Sequence, residues 1–285
     1  SRRRHTRLVS DWSSDVCSSD LFFLFVFFVS FFCVFLALLS RSVYTPQVPP
    51  SLLAVFDAVA VCIRYARARV RCDVQLLGLT DAPRILHVTH NMGGGVEQHV
   101  RDLATACAAK DNSLHLVLRP WGEDGYRLER IGGDGEFRKL VNAEVARELI
   151  PRFLAAARIQ RIHFHHYAGV SDWVLALPDE LEVSYDVTVH DFVSVCPQFH
   201  FQEPSGRYCG RPSAEDCNHC IAERPNHLGL DIEAWRSLFS SHFAKAERVI
   251  CPTRYVARVI GEYFPAVSPE VLAHPEPRLG MPSGD

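Results

Sequence analysis

The stretch ILHVTHNMGGGVEQHVRDL, residues 85–103, decides the fold predicted for this chain. An apolar run at 85–88 leads into three consecutive glycines, Gly93, Gly94 and Gly95. Apolar side chains then recur at positions 96, 100, 103, 104 and 107, a spacing that places them on one helical face. The pattern predicts a strand, a glycine turn and an amphipathic helix, the unit that opens a Rossmann-like α/β domain.

The glycine turn is a candidate anion site. Unpaired backbone N–H groups and the helix dipole both favour a phosphate at a helix N-terminus. The dinucleotide fingerprint G-x-G-x-x-G is not met, because Gln98 stands at the third glycine position, and no G-K-[ST] follows. We expect a loop that touches a diphosphate without enclosing it; the alternative is a turn with a purely structural role.

Outward from this unit, strands are expected at 114–118, 161–164, 183–189, 249–252 and 271–273. Helices are expected at 232–246 and 254–264, with Thr253 as N-cap of the latter. Val141, Val145 and Leu149 indicate a further helix, which Pro151 should kink or end. Residues 121–134 are a glycine-rich loop or hairpin. The alternation predicts a parallel sheet with helices on both faces, over a domain at 83–277.

Polar residues follow the ends of several predicted strands. They are Gly93–Gly95, the pair His165 and His166, the pair His190 and Asp191, and Thr253. In an open parallel sheet these ends form one rim, and ligands bind there. His190, beside an aspartate, is a candidate hydrogen-bond donor or base; a structural histidine of the rim is the alternative.

Four cysteines, Cys196, Cys209, Cys217 and Cys220, lie in one proline- and glycine-rich insertion. The final C-x2-C pair has the spacing that tetrahedral zinc requires. Structural zinc, disulfides and unpaired thiols are the three interpretations. A reducing compartment favours zinc and an oxidising one favours disulfides.

The N-terminal 50 residues are a separate problem. DWSSDVCSSDL, residues 11–21, resembles a conceptual translation of a sequencing-library adapter, and such a segment is excluded from fold reasoning. Residues 21–39 are apolar and long enough to cross a bilayer; translated low-complexity DNA and a membrane anchor are both open. Residues 51–82 are expected to form a helical lead-in, whose basic end is either a solvated helix C-terminus favoured by the helix dipole or a peripheral membrane contact.

Composition narrows the class of partner. The chain has 285 residues and a formal net charge of -3, so no strong positive field draws it to nucleic acid. The length suits one large domain or two small ones.

Several motifs, taken in order, resemble a known family. ILHVTHNMGGGVEQHVRDLA, IHFHHYAG, VTVHDFVSVCP, the cysteine-rich insertion, VICPTRYVARVIGEYFP and VLAHPEP are similar to the N-terminal domain of GT-B-fold glycosyltransferases of the family 4 type. The resemblance covers roughly Pro83 to Pro277. It implies two Rossmann-like domains facing across a cleft, one for the acceptor and one for most of a nucleotide-sugar donor.

The resemblance also implies roles for single residues. Gly93–Gly95 would approach the donor diphosphate, His190 would lie near the reacting sugar, and His165, His166 and Asp191 would lie on the acceptor side. The implied partners are a nucleotide sugar and a glycan or lipid-linked acceptor. No catalytic metal and no nucleic acid are expected. The expected location is the cytoplasm, with contact to the inner face of the membrane left open.

The chain departs from the family pattern after Pro277, where only the tail 278–285 follows. The donor-binding domain, with cationic groups for the departing diphosphate, is therefore expected to be missing, and this polypeptide alone to be inactive. Two alternatives belong to other classes: a zinc-stabilised, non-catalytic binding module, or a membrane-tethered sugar-binding protein if residues 21–39 are real.

Overall fold

A computed structural model describes residues 81–122, 125–132 and 137–274, together with the backbone of a short strand at Val9–Asp11. Residues 12–80 and 275–285 lie outside this description, and with them the proposed anchor, the helical lead-in and the tail. Within the described segments, no helix combines the length and apolar character that crossing a bilayer demands.

The strands of the described chain form one sheet. In chain order they are β1 (Val9–Asp11), β2 (Arg84–Val88), β3 (Leu114–Trp121), β4 (Gly125–Ile131), β5 (Arg138–Val141), β6 (Arg161–Phe164), β7 (Ser184–Thr188), β8 (Arg248–Cys251) and β9 (Glu270–Val271). Their order across the sheet is β1-β5-β4-β3-β2-β6-β7-β8-β9. The run from β3 to β9 is parallel, and β4 is antiparallel to both of its neighbours. This confirms the predicted Rossmann-like α/β class, with one hairpin added.

The helices lie between these strands. They are α1 (Gly94–Asp111), α2 (Ala143–Ala156), α3 (Asp172–Leu175), α4 (Leu177–Leu181), α5 (Ala214–Glu223), α6 (Ile232–Lys245) and α7 (Arg254–Tyr263). Helix α7 begins where predicted, since the Thr253 side chain accepts a hydrogen bond from the Val256 N–H.

One sequence prediction about the segment around α2 was wrong, because Val141 ends β5 and does not belong to the helix. Of the two outcomes predicted for Pro151, a kink or an end, the helix does not end there, since α2 continues for five more residues to Ala156. A proline in a helix interior removes one backbone hydrogen bond. Burial of the neighbouring Ile150 and Phe153 offsets that loss, because both side chains are excluded from solvent.

Alternation along the strands separates two apolar layers. Val100 and Ala104 of α1 pack on Val117 and Ile131, on one face of the sheet. Leu86, Val88, Leu116 and Leu118 point to the opposite face and join the large core with α2, α6 and α7. Helices therefore cover both faces, as predicted. On the face that α1 covers, the central strands β2, β3 and β6 carry His87, His115 and His163. Their neighbours in sequence, which point to the other face, are apolar.

The order in which strands are added to the sheet reverses between β2 and β6. From β2 the chain passes through α1 to β3 on one side, and β6 lies on the other side. In open α/β sheets, ligands bind beyond the carboxyl ends of strands at such a switch point. The residues that follow these two ends are 89–93 and 165–166, so the fold places the predicted rim at the site of reversal.

Candidate functional site

The N-terminus of α1 presents open backbone at the rim. Gly93 and Gly94 have φ angles of 73° and 78°, which L side chains rarely adopt. Gly94 and Gly95 are exposed, and a Cβ built on either meets nothing within 4 Å. A ligand can therefore approach this backbone closely, and the first two glycines are also required by conformation.

A buried ion-pair network holds the start of α1. Arg119 of β3 is 1% exposed and lies 3.2 Å from Glu97 in the first turn and 2.8 Å from Glu129 of β4. Arg101 also pairs with Glu97, at 2.7 Å. The charge of Glu97 at the helix N-terminus is thus shared by two guanidinium groups, and α1 is tied to the β3–β4 hairpin.

His190 follows β7 in a loop that α6 holds in place. The Val189 N–H donates to the carbonyl of Ile250 at 2.8 Å, which continues the sheet to the residue before His190. The indole N–H of Trp235 donates to the carbonyl of Val193 at 2.8 Å. The Val193 N–H in turn donates to Asp191 Oδ1 at 2.9 Å. Both sides of His190 are therefore fixed by hydrogen bonds.

His166 orients Asp191 from below the surface. The Ala168 N–H donates to His166 Nδ1 at 3.0 Å, so a neutral ring carries its proton on Nε2. That N–H donates to Asp191 Oδ2 at 2.8 Å. His166 is 1% exposed, so it can position the carboxylate without itself reaching a ligand in this conformation.

His99 of α1 joins the glycine helix to His190. The ring centroids of His99 and His190 are 4.9 Å apart, and that of His99 is 5.6 Å from His165. His274 covers the pair, stacked on His190 at 4.8 Å and 7° and edge-on to His99 at 4.4 Å. His99 lies one helical turn beyond Gly95, so the glycines and His190 occupy the same part of the rim.

A hydrogen-bonded row of side chains runs from the amino end of β3 to the rim. Ser113 Oγ lies 2.8 Å from His115 Nε2, and His115 Nδ1 lies 2.8 Å from His87 Nε2. His87 Nδ1 is 3.0 Å from His165 Nε2, and His165 Nδ1 is 3.3 Å from His190 Nε2. We call these five residues the histidine row.

The outer end of the row sets its direction. The Ser113 hydroxyl hydrogen-bonds to the Asp111 carboxylate, which lowers the pKa of Asp111. A carboxylate only accepts, so Ser113 donates to it and accepts from His115 Nε2–H. Each neutral ring then donates to the next residue toward Ser113. His87 Nε2–H donates to His115 Nδ1, and His165 Nε2–H donates to His87 Nδ1. This leaves the His165 Nδ1 lone pair facing the rim.

The rings of the row are neutral at pH 7. Burial, followed by the nearby His99 and His274, lowers the pKa of His190 to about 2. Burial, followed by neighbouring histidines, also lowers the pKa of His165 and of His87 well below the usual value. Desolvation disfavours imidazolium, and a second charge nearby would add repulsion.

The other three cysteines of the insertion lie near enough to Cys196 to influence its pKa, but among the described residues no three cysteine sulfurs are grouped within 4.8 Å of one another. Cys217 and Cys220 lie one turn apart on α5, and burial raises the pKa of Cys196 to about 11, with Cys217, Cys209 and Cys220 adding to the increase. No disulfide joins the cysteines of the described segments. Guanidinium N–H groups of Arg224 and Arg236 donate to the sulfurs of Cys220 and Cys217 at 3.1 and 3.6 Å.

The order of these motifs has a counterpart among known families. A model of Glycosyltransferase Family 4 matches residues 93–273, which is more than half of the chain. The chain belongs to Glycosyltransferase Family 4. The matched range begins at the first glycine of the turn and includes His99, His165, His190 and the cysteine insertion.

Other comparisons add little to the Family 4 assignment. Among curated proteins nothing matches. A solved structure of a secreted C11 cysteine protease from Bacteroides thetaiotaomicron, "iotapain", aligns at 6% identity with a TM-score of 0.28. That alignment covers 66% of this chain and spans about half, 51%, of the protease. A likeness at this level carries no argument about the Family 4 chain.

Sequence reasoning grouped the Family 4 site residues at one rim but did not select all of its histidines. His87, His115 and His163 were not singled out, nor were His99 and His274. The available signal was alternation: His87, His115 and His163 each stand between two apolar residues of a strand. When neighbouring buried strands each carry a histidine between two apolar residues, the histidines indicate a row of polar side chains on one face of the sheet.

Proposed function

We propose that this Family 4 chain is the acceptor-side half of an enzyme that transfers a sugar from a nucleotide sugar to a glycan or lipid-linked acceptor. The observation that supports it best is the contact of His99 with His190. Through that contact the glycine N-terminus and the histidine after β7 meet at the switch point between β2 and β6. A diphosphate and a sugar need such adjacent sites.

In this proposal the exposed backbone N–H groups at Gly94 and Gly95 receive part of the donor diphosphate. Hydrogen bonds from fixed N–H groups stabilise negative charge as the diphosphate leaves. The remaining charge stabilisation would come from a donor-binding domain across the cleft.

His190 would position the reacting sugar as a hydrogen-bond acceptor. Its Nε2–H is directed to His165, according to the direction of the histidine row, and Nδ1 keeps its lone pair. A sugar hydroxyl can donate to that nitrogen. His165 and His166 would then act from behind the surface, by holding His190 and Asp191 on the acceptor side.

We place this reaction in the cytoplasm, at the inner face of the membrane when the acceptor is lipid-linked. Sugar transfer in this proposal uses no catalytic metal.

We further propose that the cysteine insertion binds structural zinc. Four thiols in one insertion, two of them a turn apart on α5, are ligands of the kind that zinc prefers, and zinc would bring their sulfurs together. The Arg224 and Arg236 contacts would stabilise the thiolates. Zinc would hold a segment that has few apolar residues of its own.

Elemental analysis of the purified chain tests the zinc proposal. We expect bound zinc, of which one equivalent is lost in Cys217→Ser and kept in the control Cys107→Ser, which changes a cysteine of α1 outside the insertion. A chain without zinc overturns it, whether the four thiols of the insertion are freely titratable or joined as disulfides.

The transferase proposal is tested on an extended gene. Genomic DNA on both sides of the coding segment is sequenced, and the longest continuing frame is expressed. Nucleotide release is then measured with a panel of nucleotide sugars and a membrane lipid extract. Acceptor-dependent release is the expected result; a frame that stops after Asp285, or release from no donor in the panel, contradicts the proposal.

A further inference from the structure

The rim holds a second arrangement that sugar transfer does not require. One ring nitrogen from each of His99, His165 and His190 lies within 4.8 Å of the other two. His165 is buried, whereas His99 and His190 are partly exposed, so the group is rooted in the sheet and open to solvent. We propose that these three histidines form a binding site for a divalent transition-metal ion of the cobalt, nickel or zinc type.

The spacing is close to what such an ion needs. Nitrogen ligands at about 2.0–2.1 Å around a tetrahedral ion lie roughly 3.3 Å from one another. His165 Nδ1 and His190 Nε2 already lie 3.3 Å apart. That contact is the longest in the histidine row, where the inner two are 2.8 and 3.0 Å. His99 closes the triangle by a ring rotation on a partly exposed helix face.

The histidine row prepares His165 as a ligand. Metal-bound histidines usually donate their second ring N–H to an acceptor that fixes the tautomer. Here His165 Nε2–H donates to His87, and the series ends at Ser113 and the Asp111 carboxylate. The lone pair on His165 Nδ1 is therefore directed to the rim before any ion arrives.

The second buried group is less suitable. Nitrogens of His87, His163 and His165 also lie within 4.8 Å of one another, but all three residues are buried. His87 already uses both of its ring nitrogens in the row, and His163 Nε2 is bonded to the Thr188 hydroxyl at 2.8 Å. An ion would have to break these bonds and cross the packed α1 face.

An ion at the rim would use the ring that the proposed function assigns to the sugar. His190 would move its proton from Nε2 to Nδ1 and bind the metal through Nε2, so Nδ1 could no longer accept a hydrogen bond from a sugar hydroxyl. The ion is thus an occupant of the site and takes no part in sugar transfer. Its binding does not depend on the transferase proposal, so the two can fail separately.

Cobalt titration of the metal-free, 285-residue chain tests the site. We expect d–d absorption from a cobalt ion bound without thiolate, in addition to any thiolate-to-cobalt charge transfer from the cysteine insertion, and Cys217→Ser should remove only the charge-transfer band. His99→Gln and His190→Gln should each weaken this binding by at least about tenfold. The control His227→Gln changes an exposed histidine bonded to the Val170 carbonyl, and should leave it unchanged.

Circular dichroism establishes that each variant is folded, and His99, on a partly exposed face of α1, is the safer of the two substitutions. The proposal is overturned if His99→Gln and the unmodified chain give the same cobalt affinity. It is also overturned if all cobalt absorption carries the thiolate signature. An ¹⁵N spectrum provides a second readout: His165 should be protonated at Nε2 without metal, and cobalt should broaden its Nδ1 signal first.

Discussion

The ring centroid of His99 lies 4.9 Å from that of His190, although the two residues are on different strand–helix units. His99 belongs to the helix that the three glycines begin, and His190 follows β7. Their contact makes one site of two motifs that the sequence keeps far apart. If the glycines had lain away from the edge that bears His190, the proposed sugar site would not exist.

His190 is the first residue to test in an extended protein with a donor-binding domain. His190→Ala removes the hydrogen-bond acceptor for the reacting sugar, so we expect turnover to fall by about 10²-fold or more with the fold unchanged. Steady-state kinetics and circular dichroism measure the two effects. His227→Ala is the control, and unchanged turnover in His190→Ala would contradict the assigned role.

The glycines of the turn separate conformation from ligand contact. Gly93→Ala forces a side chain into a φ of 73°, and we expect a loss of roughly 1–3 kcal/mol in the free energy of unfolding. Gly95 lies inside α1 with open space around it, so Gly95→Ala should gain up to about 1 kcal/mol. In the extended protein, Gly95→Ala should nevertheless raise the KM for the nucleotide sugar. An unchanged KM would mean that Gly95 does not contact the donor.

We expect Arg119 to stabilise the N-terminus of α1 through its ion pairs with Glu97 and Glu129. Arg119→Met leaves the buried Glu129 with only the Arg127 and Arg138 contacts at 3.3 and 3.6 Å. Breaking a buried pair typically costs about 3–5 kcal/mol, and urea denaturation measures it. The matched control is Arg152→Met, which removes a solvent-exposed pair with Glu148 and should change stability by less than about 1 kcal/mol. Equal losses in the two variants would rule out a special role for the network.

His242 links stability to pH. Burial lowers its pKa to about 3, with Asp179 raising and Lys245 lowering it further, and Tyr185 and Phe164 pack on the ring. In the unfolded chain His242 becomes protonated near pH 6.5, whereas in the folded chain it becomes protonated only near pH 3. Stability should therefore fall as pH drops through this window, and His242 should contribute nothing to the slope above it.

His242→Phe checks that sign, because phenylalanine keeps the ring packing and does not titrate. Between pH 3 and 6.5 the slope of unfolding free energy against pH should decrease by about 1.4 kcal/mol per pH unit. Denaturation curves at several pH values provide the slope for both proteins. A slope identical to that of the unmodified chain would mean that the folded protein protonates His242 readily.

Most elements of the sheet could be predicted from the sequence, because local periodicity encodes them. The strand predicted at 161–164 coincides with β6, and the helix expected at 232–246 is α6 to within one residue. Residues 121–134 stayed ambiguous between loop and hairpin, since pairing with β3 decides whether β4 forms. The sequence did not decide whether α2 ends at Pro151. The helix continues because burial of Ile150 and Phe153 outweighs one missing hydrogen bond, and a local rule does not include that burial.

The rim itself followed from the alternation of strands and helices, since parallel strands bring their carboxyl ends to one edge. The histidine row did not, because its contacts join residues 28 and 78 positions apart. The sequence by itself determined which residues form strands, the glycine turn and the cysteine insertion. Only the tertiary structure decided that histidines of β2, β3 and β6 share one face and continue to His190, because strand order and register are set by packing between distant segments.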